Sequence, residues 1–122
     1  MQKTKIISFS DLIAWQKSVS LVKEIYLRIN SFPKDETYAL SSQIKRAAVS
    51  IPANIAEGFS RHSSKEKIQF YFIALGSLTE LQSHLYIALE LTFINKAVYE
   101  RLKLTTIEVS KLINGLIKSL SY

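Results

Sequence analysis

The chain has no cysteine, and its 122 residues include only three glycines, two prolines and two histidines. The absence of cysteine excludes disulfides, thiolate metal sites and a thiol nucleophile. So few glycines and prolines leave too little turn material for an all-β domain. No apolar run approaches the roughly 20 residues that a membrane-spanning helix requires. These absences favour an all-helical domain, and we expect a cytoplasmic protein without a signal peptide or membrane segment.

The sequence does have a large apolar fraction and an excess of basic residues. Hydrophobic residues make up 48% of the chain and charged residues 21%, the balance of a globular domain. Sixteen basic residues against ten acidic residues give a formal net charge of +6. That excess favours polyanionic partners such as nucleic acid or an anionic membrane surface. The length corresponds to a single domain over residues 1–122.

The spacing of apolar residues predicts four helices. Apolar side chains recur at intervals of three and four, as a 3.6-residue period requires. The predicted helices span residues 11–30, 35–61, 64–92 and 96–120. Their connections are short, and short connections make sequential helices antiparallel. The predicted fold is an all-α, antiparallel up-and-down four-helix bundle.

Capping residues and apolar stripes define these helices more closely. The predicted N-caps are Ser8 or Ser10 for the first helix, Ser63 for the third and Asn95 for the fourth. Glu66 stands at the capping-box spacing from Ser63. The apolar stripe predicted for the first helix is Leu12, Trp15, Val19, Val22, Tyr26 and Ile29. The stripe predicted for the third is Phe70, Ala74, Ser77 or Leu78, Leu81, Leu85 and Leu89.

The second helix contains a proline and has two distinct faces. Asp35 and Glu36 suit the positive end of a helix dipole at its start. Pro52 has no N–H to donate to the carbonyl of Ala48, so we expect a kink there. A polar stripe runs beside the apolar one and consists of Gln43, Arg46, Ser50, Asn54, Glu57 and Arg61. It is either a solvated face with a local Glu57–Arg61 ion pair or a contact surface for a partner.

Two groups of residues are candidates for contact with other molecules. The candidate phosphate-binding residues are Lys45, Arg46, Arg61, Lys65 and Lys67, with Lys3 and Lys5 as a basic arm. The stretch 70–75 is apolar or aromatic around the whole helix, so part of it is expected to meet another chain. The candidate interface residues are Gln43, Arg46, Ser50, Asn54, Glu57, Phe70, Tyr71 and Phe72.

Catalytic and metal-binding patterns are weak. A di-iron bundle needs inward glutamates and two Glu-x-x-His pairs, whereas the nearest approach is Glu80 with His84, four residues apart. His62 precedes Ser63 and Ser64, but those serines are better read as helix caps than as nucleophiles. The three glycines stand alone, without a phosphate-binding loop, and Gly76 is expected to permit close helix packing. The sequence therefore predicts no enzyme, no metal and no cofactor.

One long motif carries a resemblance to a known family. Residues 43–58 read QIKRAAVSIPANIAEG, and further matching stretches lie at residues 12–16, 32–33, 74–81 and 114–118. These stretches closely resemble the four-helix-bundle proteins encoded within intervening sequences of bacterial 23S rRNA genes, also labelled the S23 ribosomal protein family. The likeness covers nearly the whole chain. The sequence departs from the pattern at residues 91–94, where relatives often have a glycine, which leaves the shape of the last loop open.

The resemblance implies an assembly and a class of partner. The implied assembly is a ring of antiparallel bundles, most commonly a homopentamer. The family is also similar to the accessory variability proteins of diversity-generating retroelements, which are basic pentameric bundles that bind nucleic acid and a reverse transcriptase. Neither group implies an enzymatic activity. The leading hypothesis is an oligomeric protein that binds structured RNA such as 23S rRNA, or DNA. The alternative is a protein–protein adaptor whose partner docks on the Gln43–Arg61 stripe.

Overall fold

The computed structural model describes residues 5–34 and 39–121, and within them the chain forms four helices and no strand. The helices are α1 (Ile13–Ile29), α2 (Leu40–Ser60), α3 (Ser64–Glu90) and α4 (Lys96–Leu120). A short 3₁₀ turn, Phe9–Asp11, precedes α1. The predicted all-helical class is confirmed, and the predicted bounds of α4 match the observed ones. The predicted start of α2 at residues 35 and 36, with its acidic pair, lies outside the described residues.

The start of α1 differs from the prediction because Asp11 closes a separate turn. Its carboxylate accepts hydrogen bonds from the backbone N–H groups of Ile7 (2.9 Å) and Ser8 (3.0 Å). The bond from Ser8, and then that from Ile7, lowers the pKa of Asp11 below its usual value near 3.8. Ser8 therefore precedes the 3₁₀ turn, and α1 itself begins after Leu12 without a side-chain cap.

The N-caps of α3 and α4 are those that the sequence predicts. The Ser63 side chain accepts a hydrogen bond from the N–H of Glu66 at 3.1 Å. The Asn95 side chain accepts one from the N–H of Val98 at 2.8 Å. Each cap satisfies one of the backbone donors that a helix start leaves unpaired. In α2 the helix runs from Leu40 to Ser60 without ending at Pro52, which is buried inside it.

Each helix packs against two others around one apolar core. The main packing pairs are α1 with α2, α2 with α3, α3 with α4, and α4 with α1. The fully buried large side chains of this core are Leu21, Ile25, Ile44, Ile51, Ile55, Leu81, Leu102, Val109 and Ile113. Three small polar residues, Ser18, Ser41 and Thr106, are also buried among the described residues. Ser18 donates to the carbonyl of Trp15 (2.8 Å), and Thr106 donates to the carbonyl of Lys103 (2.6 Å).

The buried face of α1 is turned by one residue from the predicted stripe. Its buried residues are Ala14, Ser18, Leu21, Ile25 and Ile29. Trp15, Val19 and Val22 lie only at the flank of this face, and Tyr26 is 42% exposed. The predicted stripe was right for Leu12 and Ile29, which are buried, and wrong for Tyr26, because Leu21 and Ile25 occupy the centre of the buried face.

The loop between α3 and α4 places Thr92 in the left-handed region, with φ of 63°. The N–H of Phe93 donates to the carbonyl of Ala88 (2.9 Å), and the N–H of Thr92 donates to that of Leu89 (3.0 Å). This pair of bonds is the Schellman arrangement that ends many helices, and it usually has glycine at the position of Thr92. Although residues 91–94 lack the glycine that relatives often have, the helix-ending turn still forms, with the β-branched Thr92 in the glycine position.

Candidate nucleic-acid interface

The polar stripe of α2 satisfies most of its hydrogen bonds within the chain. The Asn54 amide donates to the carbonyl oxygen (2.8 Å) and the hydroxyl (3.0 Å) of Ser50. The Ser50 hydroxyl in turn lies 2.8 Å from that of Ser77 in α3. Arg46 donates to the side-chain oxygen of Gln43 at 2.7 Å. The middle of the stripe therefore forms a hydrogen-bonded contact between α2 and α3, while Gln43 and Arg46 form an exposed pair.

Arg61 holds the end of α2 against α3. Its guanidinium forms an ion pair with Glu57 (3.1 Å) and lies over the Phe70 ring, 4.5 Å from the centroid. Its Nε atom is buried and has no hydrogen-bond partner among the described residues. An exposed ion pair at this spacing contributes only about 0.2–0.5 kcal/mol. The cation–π contact with the Phe70 ring therefore also stabilises the position of the Arg61 side chain. The expected Glu57–Arg61 ion pair is present.

Lys67 is also committed to a contact within the chain. Its ammonium donates to the carbonyl oxygen of Phe59 at 2.6 Å and lies 5.2 Å from the centroid of the Phe59 ring. A lysine in this position satisfies one of the carbonyls that the end of α2 leaves unpaired. Arg61 and Lys67 therefore join α2 to α3, and a phosphate would have to compete with these contacts.

The remaining candidate basic residues do not lie together on the surface. Arg46 and Lys65 are exposed. Lys5 is exposed ahead of the 3₁₀ turn, and Lys3 lies outside the described residues. Arg61 comes fifteen positions after Arg46, so at a rise of about 1.5 Å per residue the two stand about 22 Å apart along α2. The Arg46 end of α2 and the turn between α2 and α3 are thus two separate basic regions.

Tyr71 does not belong to an external interface, contrary to the sequence-based expectation. Its side chain is 2% exposed and packs against Gly58, and burial raises the pKa of its hydroxyl above the usual value near 10. Phe70 is half-buried beneath Arg61. Phe72, by contrast, is 56% exposed, and the adjacent Ile73 is 51% exposed. The apolar surface left on this part of α3 therefore consists of Phe72 and Ile73.

Gly76 continues that exposed surface. A Cβ placed on it would meet no atom within 4 Å, so the close helix packing expected at Gly76 does not occur within the described part of the chain. Glycine in an exposed helix interior costs about 0.5–1 kcal/mol relative to alanine. The outer face of α3 thus combines two exposed apolar side chains with a glycine that no contact within the chain requires.

A further basic region lies where α1 meets α2, and the sequence reasoning missed most of it. The Lys45 ammonium stands 5.0 Å from the centroid of the Tyr26 ring. Lys23 is exposed one turn before Tyr26 on the same face of α1. The spacing of Lys23 and Tyr26 was a usable signal, but Tyr26 had been assigned to the core.

Two depressions adjoin at this place. A shallow one of about 420 Å³ is lined by Lys23, Tyr26, Leu27 and Asn30. A smaller, polar one of about 160 Å³ is lined by Ile29, Asn30, Phe32, Pro33, Lys34, Ser41 and Lys45. Asn30 belongs to both, so the two form one surface.

Within residues 5–34 and 39–121, no three His, Asp or Glu side chains come together as a metal site would require. His84 Nε2 lies 3.9 Å from a Glu80 carboxylate oxygen, and both ring nitrogens of His84 are buried without a hydrogen-bond partner there. No helix in this part of the chain is long and apolar enough to cross a membrane.

Comparison with known proteins identifies the family. A model of the 23S rRNA-intervening sequence proteins matches residues 10–115, which include α1 to α3 and most of α4. The chain belongs to this family. The resemblance carried by the motif at residues 43–58 is thereby confirmed. No curated protein matches the chain.

A solved structure agrees with this assignment to the 23S rRNA-intervening sequence family. It is the crystal structure of a protein of unknown function from the S23 ribosomal protein family of Bacteroides thetaiotaomicron VPI-5482. The two chains are 27% identical and superpose with a TM-score of 0.76. The match covers 87% of this chain and 99% of the other. The four-helix fold of the family therefore extends over nearly the whole protein.

Proposed function

We propose that this protein is a non-enzymatic, oligomeric nucleic-acid-binding protein that acts on structured RNA such as 23S rRNA. The observation that carries the proposal is the formal net charge of +6 together with basic side chains that stand at the surface, among them Lys5, Arg46 and Lys65. Such residues bind phosphates without sequence preference. The family is described as 23S rRNA-intervening sequence proteins, and for this reason RNA is the first polyanion to test as a ligand.

The proposal includes an antiparallel bundle that assembles into a ring, with five chains as the expected number. Three residues connect α2 to α3 and five connect α3 to α4, and such short links favour antiparallel neighbours. The exposed Phe72, Ile73 and Gly76 support association through the outer face of α3. Five chains at +6 would carry a formal charge of +30. Many weak phosphate contacts would then act together through avidity.

The cytoplasm, where ribosomal RNA is found, is the setting that the proposal assumes. No cofactor, metal or catalytic step is part of it. The adaptor hypothesis remains the rival, with a protein partner on the Gln43–Arg61 stripe. The hydrogen bonds between Asn54, Ser50 and Ser77 weaken that rival, because they already engage the Asn54 amide group and both hydroxyls in the middle of the stripe.

The proposal is tested by measuring binding to a labelled structured RNA and to duplex DNA of equal length. The variant is Arg46→Glu with Lys65→Glu, because both side chains are exposed and neither is ion-paired within the described residues. Arg61 is unsuitable, since its replacement would also break the contacts with Glu57 and Phe70. We expect tighter binding to RNA than to DNA and weaker binding by the double variant. Absence of RNA binding by the wild-type protein would refute the proposal and favour the adaptor.

A further inference from the structure

The α1–α2 basic depression, lined by Lys23, Tyr26, Leu27, Asn30, Lys34 and Lys45, combines an exposed aromatic ring with ammonium groups. Tyr26 is 42% exposed and forms one wall of the larger depression. Lys45 lies over its ring, and Lys23 follows the same face of α1. Both an apolar stacking surface and positive charge are therefore present in one concave region.

Two of the lysines that line this region, Lys23 and Lys45, form no ion pair with the acids that the structure describes. The one acid in α1, Glu24, is directed to other partners. It pairs with Arg28 on its own helix (3.8 Å) and with Arg101 of α4 (2.8 Å). The contact of Lys45 with the Tyr26 ring positions the ammonium without neutralising it.

The size and shape of the depression suit a small planar group. It is a shallow depression of about 420 Å³ that is open to solvent, so a planar ligand would lie across its surface against Tyr26. The adjoining polar depression, with Ser41 and the Asn30 amide beside Lys45, continues it with hydrogen-bonding groups. A ligand with a flat apolar part and an attached anion would fill both depressions.

Single-stranded nucleic acid has this combination of groups. Proteins bind it by stacking bases on aromatic side chains and by placing lysine or arginine along the backbone. Sequence-tolerant recognition of this kind acts on unpaired loops and ends of RNA, since bases within a duplex cannot reach an aromatic side chain. An acidic peptide would use the lysines but would leave the exposed ring of Tyr26 without a stacking partner.

We propose that the α1–α2 basic depression binds an unpaired nucleotide, with the base against Tyr26 and the neighbouring phosphates at Lys45 and Lys23. This inference rests on the proposed nucleic-acid-binding function and specifies where and in what form the RNA is bound. It moves the principal contact from the turn between α2 and α3, where Arg61 and Lys67 are committed to the fold, to the junction of α1 and α2.

The test measures the affinity of the wild-type protein and four variants for a labelled RNA hairpin with an unpaired loop. Tyr26→Ala removes the stacking surface, and Tyr26→Phe keeps it. Lys45→Gln removes one charge. Tyr86→Ala is the matched control, because Tyr86 is 51% exposed on α3, away from the depression. Circular dichroism of each variant checks that the exposed substitutions leave the helices intact.

We expect Tyr26→Ala to weaken binding about five- to hundredfold, the range found when a stacked base loses its aromatic partner. Lys45→Gln should weaken it by a smaller factor, while Tyr26→Phe and Tyr86→Ala should bind as the wild type does. A short single-stranded RNA and an abasic oligonucleotide of the same length complete the test. The abasic strand keeps its phosphates, so its affinity should be lower and unaffected by Tyr26→Ala.

The possible failures are distinguishable. If the wild-type protein binds the hairpin but Tyr26→Ala and Lys45→Gln bind equally well, the location is wrong and the proposed function stands. If the abasic strand binds as tightly as the RNA, recognition is by phosphate alone and the nucleotide site is refuted. If the wild-type protein binds none of these nucleic acids, the proposed function itself fails.

Discussion

The ring of Tyr71 occupies the space that a side chain on Gly58 would need. A Cβ placed on Gly58 would stand 2.7 Å from Cε1 of Tyr71 and 3.1 Å from the carbonyl oxygen of Lys67. Glycine in α2 thus allows the beginning of α3 to pack closely on the end of α2. This junction carries Arg61 and Lys67 as well, so it positions the basic residues around the turn between the two helices.

Gly58→Ala should therefore destabilise the protein, although alanine normally favours a helix. The buried Tyr71 ring must move or distort, and overpacking of this kind costs about 1–3 kcal/mol. Urea unfolding followed by circular dichroism measures the change in the free energy of unfolding. Gly115→Ala in α4 is the control, because a Cβ there meets no atom within 4 Å, and it should be neutral or stabilising. Equal effects of the two substitutions would contradict the packing described for Gly58.

Thr92→Gly should stabilise the protein. Thr92 has a φ of 63°, and this left-handed conformation costs a residue with a side chain roughly 1–2 kcal/mol. Glycine adopts the same conformation without that cost, whereas a β-branched residue such as threonine is among the least suited to it. The gain is offset in part by the greater freedom of glycine in the unfolded chain. Thermal unfolding of Thr92→Gly should show a higher Tm than that of the wild type. Thr79→Gly, in the exposed interior of α3, is the control and should lower the Tm.

The contribution of Asp11 to stability should depend on pH. Backbone hydrogen bonds from Ser8 and Ile7 lower the pKa of the Asp11 carboxyl in the folded protein. Its stabilising contribution is thus fully present above the unfolded value near 3.8 and is lost as pH falls through the lower folded pKa. The Tm of Asp11→Ala should lie below that of the wild type near neutral pH, and the difference should vanish in strong acid. Glu108→Ala, an exposed carboxylate in α4, controls for the change in net charge.

Phe72→Glu should disrupt the proposed oligomer. The substitution places a charge on the exposed apolar surface of α3 and leaves the core of the chain untouched, since Phe72 is 56% exposed. Light scattering after size-exclusion chromatography should give five times 13.9 kDa, or 69.5 kDa, for the wild type and a smaller mass for the variant. Leu104→Glu, at a 64% exposed leucine of α4, is the control. A monomeric wild type, or an unchanged mass for Phe72→Glu, would exclude this surface.

Much of the helix arrangement could be predicted from the sequence because local signals determine it. Ser63 and Asn95 carry the side chains that cap helices, and both act as caps. The choice of the buried face was less certain where two apolar stripes run side by side. On α3 residues 70–75 are apolar or aromatic around the whole helix, and it is Tyr71, packed against Gly58 of α2, that is buried in place of Phe70.

The candidate site was harder to predict, because it depends on contacts between helices. Nothing in the local sequence shows that Lys67 donates to the carbonyl of Phe59, or that Arg61 lies on the Phe70 ring. Those contacts engage two of the seven candidate basic residues within the chain. The approach of Lys45 to Tyr26 is equally non-local and appears only when α1 and α2 pack together.

The central claim, that the protein binds RNA through its basic surface, is tested most directly by the salt dependence of binding. The affinity of the wild-type protein for a structured RNA is measured from low to high salt, with duplex DNA of equal length in parallel. Each phosphate contact steepens the slope of log K against log salt by about 0.7–0.9. We predict a slope that corresponds to several contacts and a preference for RNA over DNA. Absence of binding near physiological salt, or an affinity that does not change with salt, would contradict the claim.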